Sequence, residues 1–252
     1  MKKQLFLFLF LVITCFSIQA QSDANNRLYE LRTYYASEGK MQDLMNRFQQ
    51  HTLKFFYTYN MRLEGFWLPL GENKENKLVY LLSYPSREAR DKSWKEFMKD
   101  KDWVAVMKNS AINGEIVAKV ESIFLKTTDF SPNDMKSVGD RVFELRTYKT
   151  KPNLLPNLLE RFRNHTLKIF EKFGMTNIIY WTPTDKEQGS EDLLVYFLTH
   201  KSKESGLASF KAFGESPEWQ AVKKASEEKA GTGLTISVKS EYFAPADFSP
   251  LK

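Results

Sequence analysis

Apolar and polar positions alternate in some stretches of the chain and recur at helical spacing in others. Alternation with β-branched and aromatic residues predicts strands, and a three-to-four residue spacing predicts helices. A polar loop at 71–76 between two alternating stretches predicts a hairpin, and Ser86 is a good N-cap. In order, the pattern predicts a strand (27–35), a helix (40–59), hairpin strands (62–69 and 77–84), helices (86–99 and from 102) and a strand (115–127). The order β-α-β-β-α-β is that of a ferredoxin-like unit.

The same pattern occurs twice. Residues 27–34, RLYELRTY, recur as residues 141–148, RVFELRTY, at an offset of 114 residues. Further matches follow in the same order, and the tetrapeptide Asp-Phe-Ser-Pro closes both halves, at 129–132 and at 247–250. Collinear matches over about a hundred residues indicate a tandem duplication.

The duplication predicts how the chain is divided. We expect a first domain at 21–132, a linker at 133–140 and a second domain at 141–252. One ferredoxin-like unit leaves one face of its sheet uncovered, and two units cover these faces by packing sheet against sheet. The predicted fold is therefore α+β, with two tandem ferredoxin-like (β-α-β-β-α-β) domains forming an intrachain pseudo-dimeric α/β barrel. Further self-association into a homo-oligomer is compatible with this arrangement.

Residues 1–20 are typical of a bacterial secretory signal peptide. Two lysines precede the apolar run 5–13, and a small-residue cleavage site ends at Ala20. The alternative is a lipoprotein signal that uses Cys15, but Thr14 is a poor residue immediately before a lipidated cysteine. We therefore expect cleavage after Ala20, export to the periplasm or beyond, and no stable membrane anchor.

Composition and charge exclude several kinds of site. Removal of the two signal-peptide lysines lowers the formal net charge from +6 to +4, and the other lysines are scattered among glutamates. Such a distribution does not favour a nucleic-acid partner. Cys15 is the only cysteine, so the mature chain has no disulfide and no thiolate metal site, and we expect no bound metal. Glycine-rich phosphate loops and GxSxG motifs are absent from the sequence.

The strand YELRTY at 29–34, the His-Thr pair at 51–52 and the Glu-Trp helix start at 218–219 resemble the NIPSNAP domain family. The resemblance covers essentially the whole mature chain, and members of the family often carry two such domains. It implies a dimeric α/β-barrel fold, whose relatives include cofactor-independent monooxygenases and heme-binding or heme-degrading proteins. Heme is therefore one cofactor to consider, although none is required. The halves differ at 101–103, where the first half has Lys-Asp-Trp and the second half has Pro-Glu-Trp at 217–219. The pockets of the two halves therefore need not be equally able to bind a ligand.

The first strand carries the most chemically specific candidates. Its alternation places Glu30, Arg32 and Tyr34 on one face, and Glu144, Arg146 and Tyr148 repeat this triplet in the second half. One interpretation is a buried Glu–Arg pair that fixes the sheet. The other is a cavity wall in which arginine holds an anionic group and tyrosine donates a hydrogen bond.

Two histidines, His51 and His165, occupy the same place in the two halves. Spacing from Leu44 and Phe48 places His51 on the helix stripe that packs against the sheet. Such a histidine can be a hydrogen-bonded core residue, a general base or a heme axial ligand. His200 ends a strand and is predicted to be incidental.

Trp67 and Trp181 lie on the hairpin strands, together with Tyr80 and Tyr196. These aromatic side chains are either core residues or the lining of an aromatic pocket.

Three functions fit these observations. The first is an exported protein that binds a small aromatic or anionic ligand in a cleft between helices and sheet. The second is a cofactor-independent or heme-dependent monooxygenase with His51 and His165 as base or ligand. The third is a protein-interaction module. The sequence leaves open whether the chain is an enzyme.

Overall fold

The computed structural model describes residues 27–133, 135, 139 and 141–252. The predicted signal peptide at 1–20 and five of the eight residues of the predicted linker at 133–140 lie outside the described residues. No helix in the described part of the chain is long and apolar enough to cross a membrane.

Two β-α-β-β-α-β units follow each other, as predicted. The first contains β1 (Leu28–Ala36), α1 (Met41–Arg47), α2 (Leu53–Thr58), β2 (Arg62–Pro69), β3 (Lys77–Tyr84), α3 (Arg87–Phe97), α4 (Lys101–Ser110) and β4 (Val117–Thr127). The second contains β5 (Val142–Thr150), α5 (Leu155–Arg161), α6 (Leu167–Lys172), β6 (Thr176–Pro183), β7 (Leu193–His200), α7 (Lys203–Glu215), α8 (Pro217–Ala230) and β8 (Thr235–Pro245). A short 3₁₀ turn, Lys186–Gln188, lies in the second hairpin loop.

The eight strands form one closed antiparallel barrel in the order β1-β3-β2-β8-β5-β7-β6-β4. The two units meet at two seams. In one seam residues 67–69 pair with 243–245, and in the other 125–127 pair with 181–183. The predicted pseudo-dimeric α/β barrel is confirmed.

The repeated tetrapeptides hold the two units together. The Ser131 hydroxyl, at the end of the first unit, accepts a hydrogen bond from the Tyr180 amide of the second unit at 3.0 Å. Reciprocally, the Ser249 hydroxyl accepts one from the Phe66 amide at 2.9 Å. The Phe248 ring packs on Phe66 with 5.1 Å between ring centroids. Each unit therefore ends by bonding to the other.

Apolar residues form three separate cores. One fills the barrel interior and includes Leu31, Trp67, Leu125, Phe143, Trp181 and Phe197. The other two lie between the sheet and the helices, one in each unit, and contain Tyr80 and Tyr196 respectively. Odd-numbered residues of β1 thus face the barrel interior, and even-numbered residues face the helices.

The predicted helix at 40–59 runs without a break, but a π turn at Phe48–Thr52 joins α1 to α2. A π turn adds a residue to the helical turn, so the buried face advances by one position. The buried face therefore contains Thr52 and Phe56, and His51 is exposed. The expectation that His51 packs against the sheet is wrong for this reason.

The second unit repeats this arrangement. A π turn at Phe162–Thr166 joins α5 to α6, Thr166 is buried, and His165 is exposed. The hydroxyls of Thr52 and Thr166 donate to the carbonyls of Arg47 and Arg161, at 3.1 and 3.2 Å. The threonines therefore satisfy carbonyls at the start of the widened turns.

Candidate functional site

A buried carboxylate, Glu30, organises the helix-facing side of β1. Arg90 of α3 donates to both of its oxygens, at 2.9 Å from Nε and 2.8 Å from Nη2, and Arg32 Nη1 contacts the same group. Burial alone would raise the pKa of Glu30, but the hydrogen bond from Arg90 and the charges of Arg32 and Arg90 outweigh it and hold the pKa below its ordinary value. Glu30 is therefore ionised and fully paired.

Arg32 connects this carboxylate to two phenols. Its Nε donates to the Tyr80 hydroxyl at 2.8 Å, and its Nη2 lies 3.4 Å from the Tyr34 hydroxyl. The guanidinium also lies 4.3 Å from the centroid of the Trp94 ring, within cation–π distance. Because its donors are used internally, the geometry favours the interpretation of Glu30 and Arg32 as a structural pair.

The second unit holds its carboxylate with a different set of partners. Arg146 Nη1 and the Ser240 hydroxyl each lie 2.5 Å from Glu144, and His200 Nε2 lies 2.7 Å from it. Arg146 Nη2 also contacts the Tyr148 hydroxyl at 3.2 Å, as Arg32 contacts Tyr34. His200 is thus a buried partner of Glu144, and the expectation that it is incidental is wrong.

Gly206 explains how His200 fits. It occupies the position in α7 that Arg90 occupies in α3, and a Cβ there would lie 2.9 Å from the His200 ring. The absent side chain leaves room for the imidazole beneath the helix. One unit therefore uses an arginine from the helix, and the other uses a histidine from the strand.

An open cleft lies between the helices and the sheet of the first unit. Its volume is about 320 Å³, and it is lined by α1–α4, the π turn, Tyr34 and residues 117–120 of β4. Six aromatic side chains form much of its wall: Tyr34, Phe48, Phe56, Trp94, Phe97 and Trp103. This is the kind of cleft that the sequence suggests, with Tyr34 as the triplet member that lines it.

Arg47 is the charged side chain at the helix side of this cleft, and Glu115 and Lys119 line it on the side of β4. Arg47 is 7% exposed, and its Nη1 contacts the Met107 sulfur at 3.2 Å and the Ser110 hydroxyl at 3.4 Å. The guanidinium also lies 5.8 Å from the centroid of the Trp103 ring, at the limit of cation–π distance. Its buried Nε has no hydrogen-bond partner, and no salt bridge within residues 27–133, 135, 139 and 141–252 includes Arg47. Burial lowers the pKa of Arg47, against the opposing effect of Tyr34 and Tyr80. The indole N–H of Trp103 is also buried without an acceptor.

Sequence reasoning missed Arg47. The available signal was its position on the apolar stripe, three residues after Leu44 and directly before Phe48, together with Arg161 at the same place in the second half. A charged residue repeated on a buried helix face is a candidate for ligand binding, because buried charge requires a partner.

Arg161 occupies the corresponding position in the second unit. It is 5% exposed, and its Nη1 lies 3.3 Å from the Ser226 hydroxyl and 3.9 Å from the Glu227 carboxylate. It borders a groove of about 370 Å³ between α5 and α8, together with His165 and Lys229.

The other predicted site residues do not meet at the cleft. Trp67 and Trp181 lie in the barrel interior, where their rings pack on Phe197 at centroid distances of 4.9 and 6.0 Å. They contribute to neither the first-unit cleft nor the α5–α8 groove. His51 is exposed and does not line the cleft.

These positions also bear on the heme hypothesis. Axial ligation by His51 or His165 needs an imidazole that faces a cavity. The first-unit cleft has no histidine in its lining, and His51 is exposed outside it. The residues of this cleft therefore do not fit a histidine-ligated heme, whereas the exposed His165 borders the α5–α8 groove. In the described part of the chain, no group of three His, Cys, Asp or Glu side chains could hold a metal ion.

The closed eight-stranded barrel with external helices defines the class: a dimeric α/β-barrel fold whose two halves are joined in one chain. A proposed monooxygenase from Lactobacillus acidophilus NCFM has this fold, with a TM-score of 0.55, 10% identity and coverage of 87% of this chain and 94% of its own. A proposed monooxygenase from Fusobacterium nucleatum is similar, with a TM-score of 0.51, 11% identity and coverage of 90% and 98%. At these identities the likeness establishes the fold alone.

The NIPSNAP family profile matches residues 29–132 and again 143–250, so the chain belongs to the NIPSNAP family. A NIPSNAP domain protein from Burkholderia xenovorans is 25% identical, with a TM-score of 0.36, and covers 42% of this chain and 98% of its own. A search of curated proteins found no match.

Proposed function

We propose that the first unit binds a small organic anion in the cleft between helices and sheet, with Arg47 paired to the anionic group. The observation that carries this proposal is a 7% exposed guanidinium that borders an open cleft and has no carboxylate partner in the described part of the chain. Charges in protein interiors are normally paired. An unpaired one beside a cavity indicates that its partner comes from outside the chain.

The chemistry of the walls suggests the ligand class. A guanidinium suits a carboxylate, which it can hold with two parallel hydrogen bonds. The surrounding Phe48, Phe56, Trp94 and Phe97 favour a flat aromatic or apolar body, and the Trp103 indole offers a second donor. A volume of about 320 Å³ is at the small end of the usual range for ligand pockets, so one or two fused rings would fill it.

Binding can be measured with benzoate, 1-naphthoate and indole-3-acetate by calorimetry and by quenching of tryptophan fluorescence. We expect saturable binding of at least one carboxylate and at least about tenfold weaker binding of its neutral amide, since about 1.4 kcal/mol corresponds to that factor. Arg47→Met should weaken binding by at least about the same factor, because it removes the charged partner. Arg161→Met is the matched control and should leave the affinity unchanged.

Two results would contradict the proposal. One is equal binding of a carboxylate and its amide, which would show that the charge is not recognised. The other is the absence of saturable binding for all three carboxylates. Quenching should come mainly from Trp94 and Trp103, because Trp67 and Trp181 are enclosed in the barrel.

We also propose that the protein is exported and cleaved after Ala20. The two lysines, the apolar run and the cleavage site at 1–20 support this proposal. The mass of the protein recovered from a bacterial periplasm or medium should correspond to a chain that begins at Gln21. Retention of a lipid on Cys15 would instead indicate the lipoprotein alternative.

The monooxygenase alternative rests on the fold shared with the two bacterial neighbours. Oxygen uptake with an electron-rich aromatic carboxylate would turn the proposed binding step into the first step of an oxidation. Binding without oxygen uptake would leave the binding function as proposed.

A further inference from the structure

The two repeated arginines contact equivalent serines, but in the described part of the chain only Arg161 has a carboxylate partner. Arg47 and Arg161 each contact a serine of the following helix pair, Ser110 at 3.4 Å and Ser226 at 3.3 Å. The two serines occupy equivalent positions, because Trp103 and Trp219 precede them by the same number of residues. The next residue is Ala111 in the first unit and Glu227 in the second.

The length of the helix explains the difference. In the first unit α4 ends at Ser110, whereas α8 continues through Glu227 to Ala230. The additional turn carries the Glu227 carboxylate to 3.9 Å from Arg161 Nη1. Arg47 has alanine at this position, and only phenols, those of Tyr34 and Tyr80, oppose the effect of burial on its pKa. For Arg161 the charge of Glu227 is the main opposing effect.

We propose that the chain binds one organic anion and not two, because Glu227 occupies in the second unit the place that the ligand carboxylate takes in the first. This inference rests on the function proposed above. The residue after the shared serine, which is Ala111 at the end of α4 or Glu227 within the longer α8, then determines whether a unit is open to an external carboxylate. An anion that approaches Arg161 meets a resident negative charge, which repels it and already neutralises the guanidinium.

The test exchanges the residue types at positions 111 and 227, one variant at a time, and measures how many equivalents of ligand each variant binds. The probe is 1-naphthoate, titrated by calorimetry into the full mature chain. Wild type should bind one equivalent. Ala111→Glu should weaken binding by at least about tenfold, because an internal carboxylate, always present at high effective concentration, competes for Arg47. Ala111→Gln has nearly the same size without the charge and should bind like wild type.

The reciprocal variant should gain a site. Glu227→Ala leaves Arg161 without its carboxylate, and the adjoining groove of about 370 Å³ has room for the ring system. We expect two equivalents of 1-naphthoate, and a return to one in Glu227→Ala/Arg161→Met. Thermal unfolding of each variant establishes that it is folded before binding is measured.

The possible outcomes separate the two proposals. Unchanged binding by Ala111→Glu, one equivalent for Glu227→Ala, or two for wild type would overturn the inference and leave the first-unit site intact. A wild type that binds nothing, with a new Arg161-dependent site in Glu227→Ala, would overturn the proposed function and support the inference. Failure of both wild type and Glu227→Ala to bind would overturn both.

Discussion

Replacing Arg47 by methionine should stabilise the ligand-free protein. The substitution keeps a flexible apolar side chain in the space of the arginine stem and removes a buried charge without a carboxylate partner. Removal of a residue that makes structural contacts normally destabilises a protein. The opposite sign is expected here, because the proposed function makes Arg47 a binding residue whose buried charge costs free energy in the ligand-free protein.

The magnitude follows from the contacts of Arg47. A buried donor without a partner, here Nε, costs about 1–3 kcal/mol. The substitution also removes the contact of Nη1 with Ser110 at 3.4 Å and the cation–π contact with Trp103 at 5.8 Å, which are worth about 0.5 kcal/mol each. The free energy of unfolding should therefore rise by up to about 2 kcal/mol, which raises the melting temperature by up to roughly 8 °C for a chain of this size.

The assay is urea unfolding followed by near-UV circular dichroism, after the protein has been unfolded and refolded to remove any bound small molecule. Arg161→Met is the matched control. The free energy of unfolding of Arg161→Met should rise less than that of Arg47→Met, because Arg161→Met also breaks a partly exposed ion pair with Glu227. The difference between the two variants should be up to about 1 kcal/mol. A loss of stability in Arg47→Met, or an equal gain in both variants, would refute the reasoning that Arg47 is reserved for a ligand.

Three further predictions concern the fold. Glu30→Leu leaves Arg32 buried without its carboxylate and should cost about 3–5 kcal/mol in urea unfolding, and a cost below about 1 kcal/mol would show that the pair is dispensable. The pKa of Glu30 lies below its ordinary value of 4.5 in the folded state, so its stabilising contribution is complete above pH 4.5 and is lost as the pH falls through the folded-state pKa. Melting temperatures between pH 7 and pH 3 should therefore fall less steeply in Glu30→Leu than in wild type, and parallel curves would contradict this. Gly65→Ala places a Cβ 2.5 Å from the enclosed Trp67 ring and should cost about 1–3 kcal/mol in thermal unfolding, whereas Gly214→Ala has open space and should cost nothing.

The parts of the fold that depend on local pattern were predictable from the sequence. The hairpin strands at 62–69 and 77–84 have the predicted bounds, because alternation and the intervening polar loop determine them locally. The barrel followed from the duplication, since two uncovered sheet faces have to pack on each other. The burial of Glu30 and Arg32 followed in turn from the sheet having both faces covered.

The other features of the fold depend on three-dimensional contacts that the hydrophobic periodicity of the sequence does not reveal. The π turn moves the buried face from His51 to Thr52, and the hydrogen bond from Thr52 to the Arg47 carbonyl is visible only in three dimensions. The role of His200 depends on Glu144, 56 residues earlier in the chain. It also depends on Gly206 in the next helix, where the absence of a side chain leaves room for the imidazole. Residue spacing alone therefore locates neither the buried face of the first helix nor the partner of Glu144.

The joining of the two units has a consequence for how the protein can diverge. In a symmetric homodimer one codon specifies both copies of a residue, so every substitution appears twice. Here Ala111 and Glu227 are encoded separately, at equivalent positions after the shared serine. Because the two units are fused, a substitution in one copy leaves the other copy unchanged. One half can therefore bind a ligand while the other contributes only to the stability of the shared barrel.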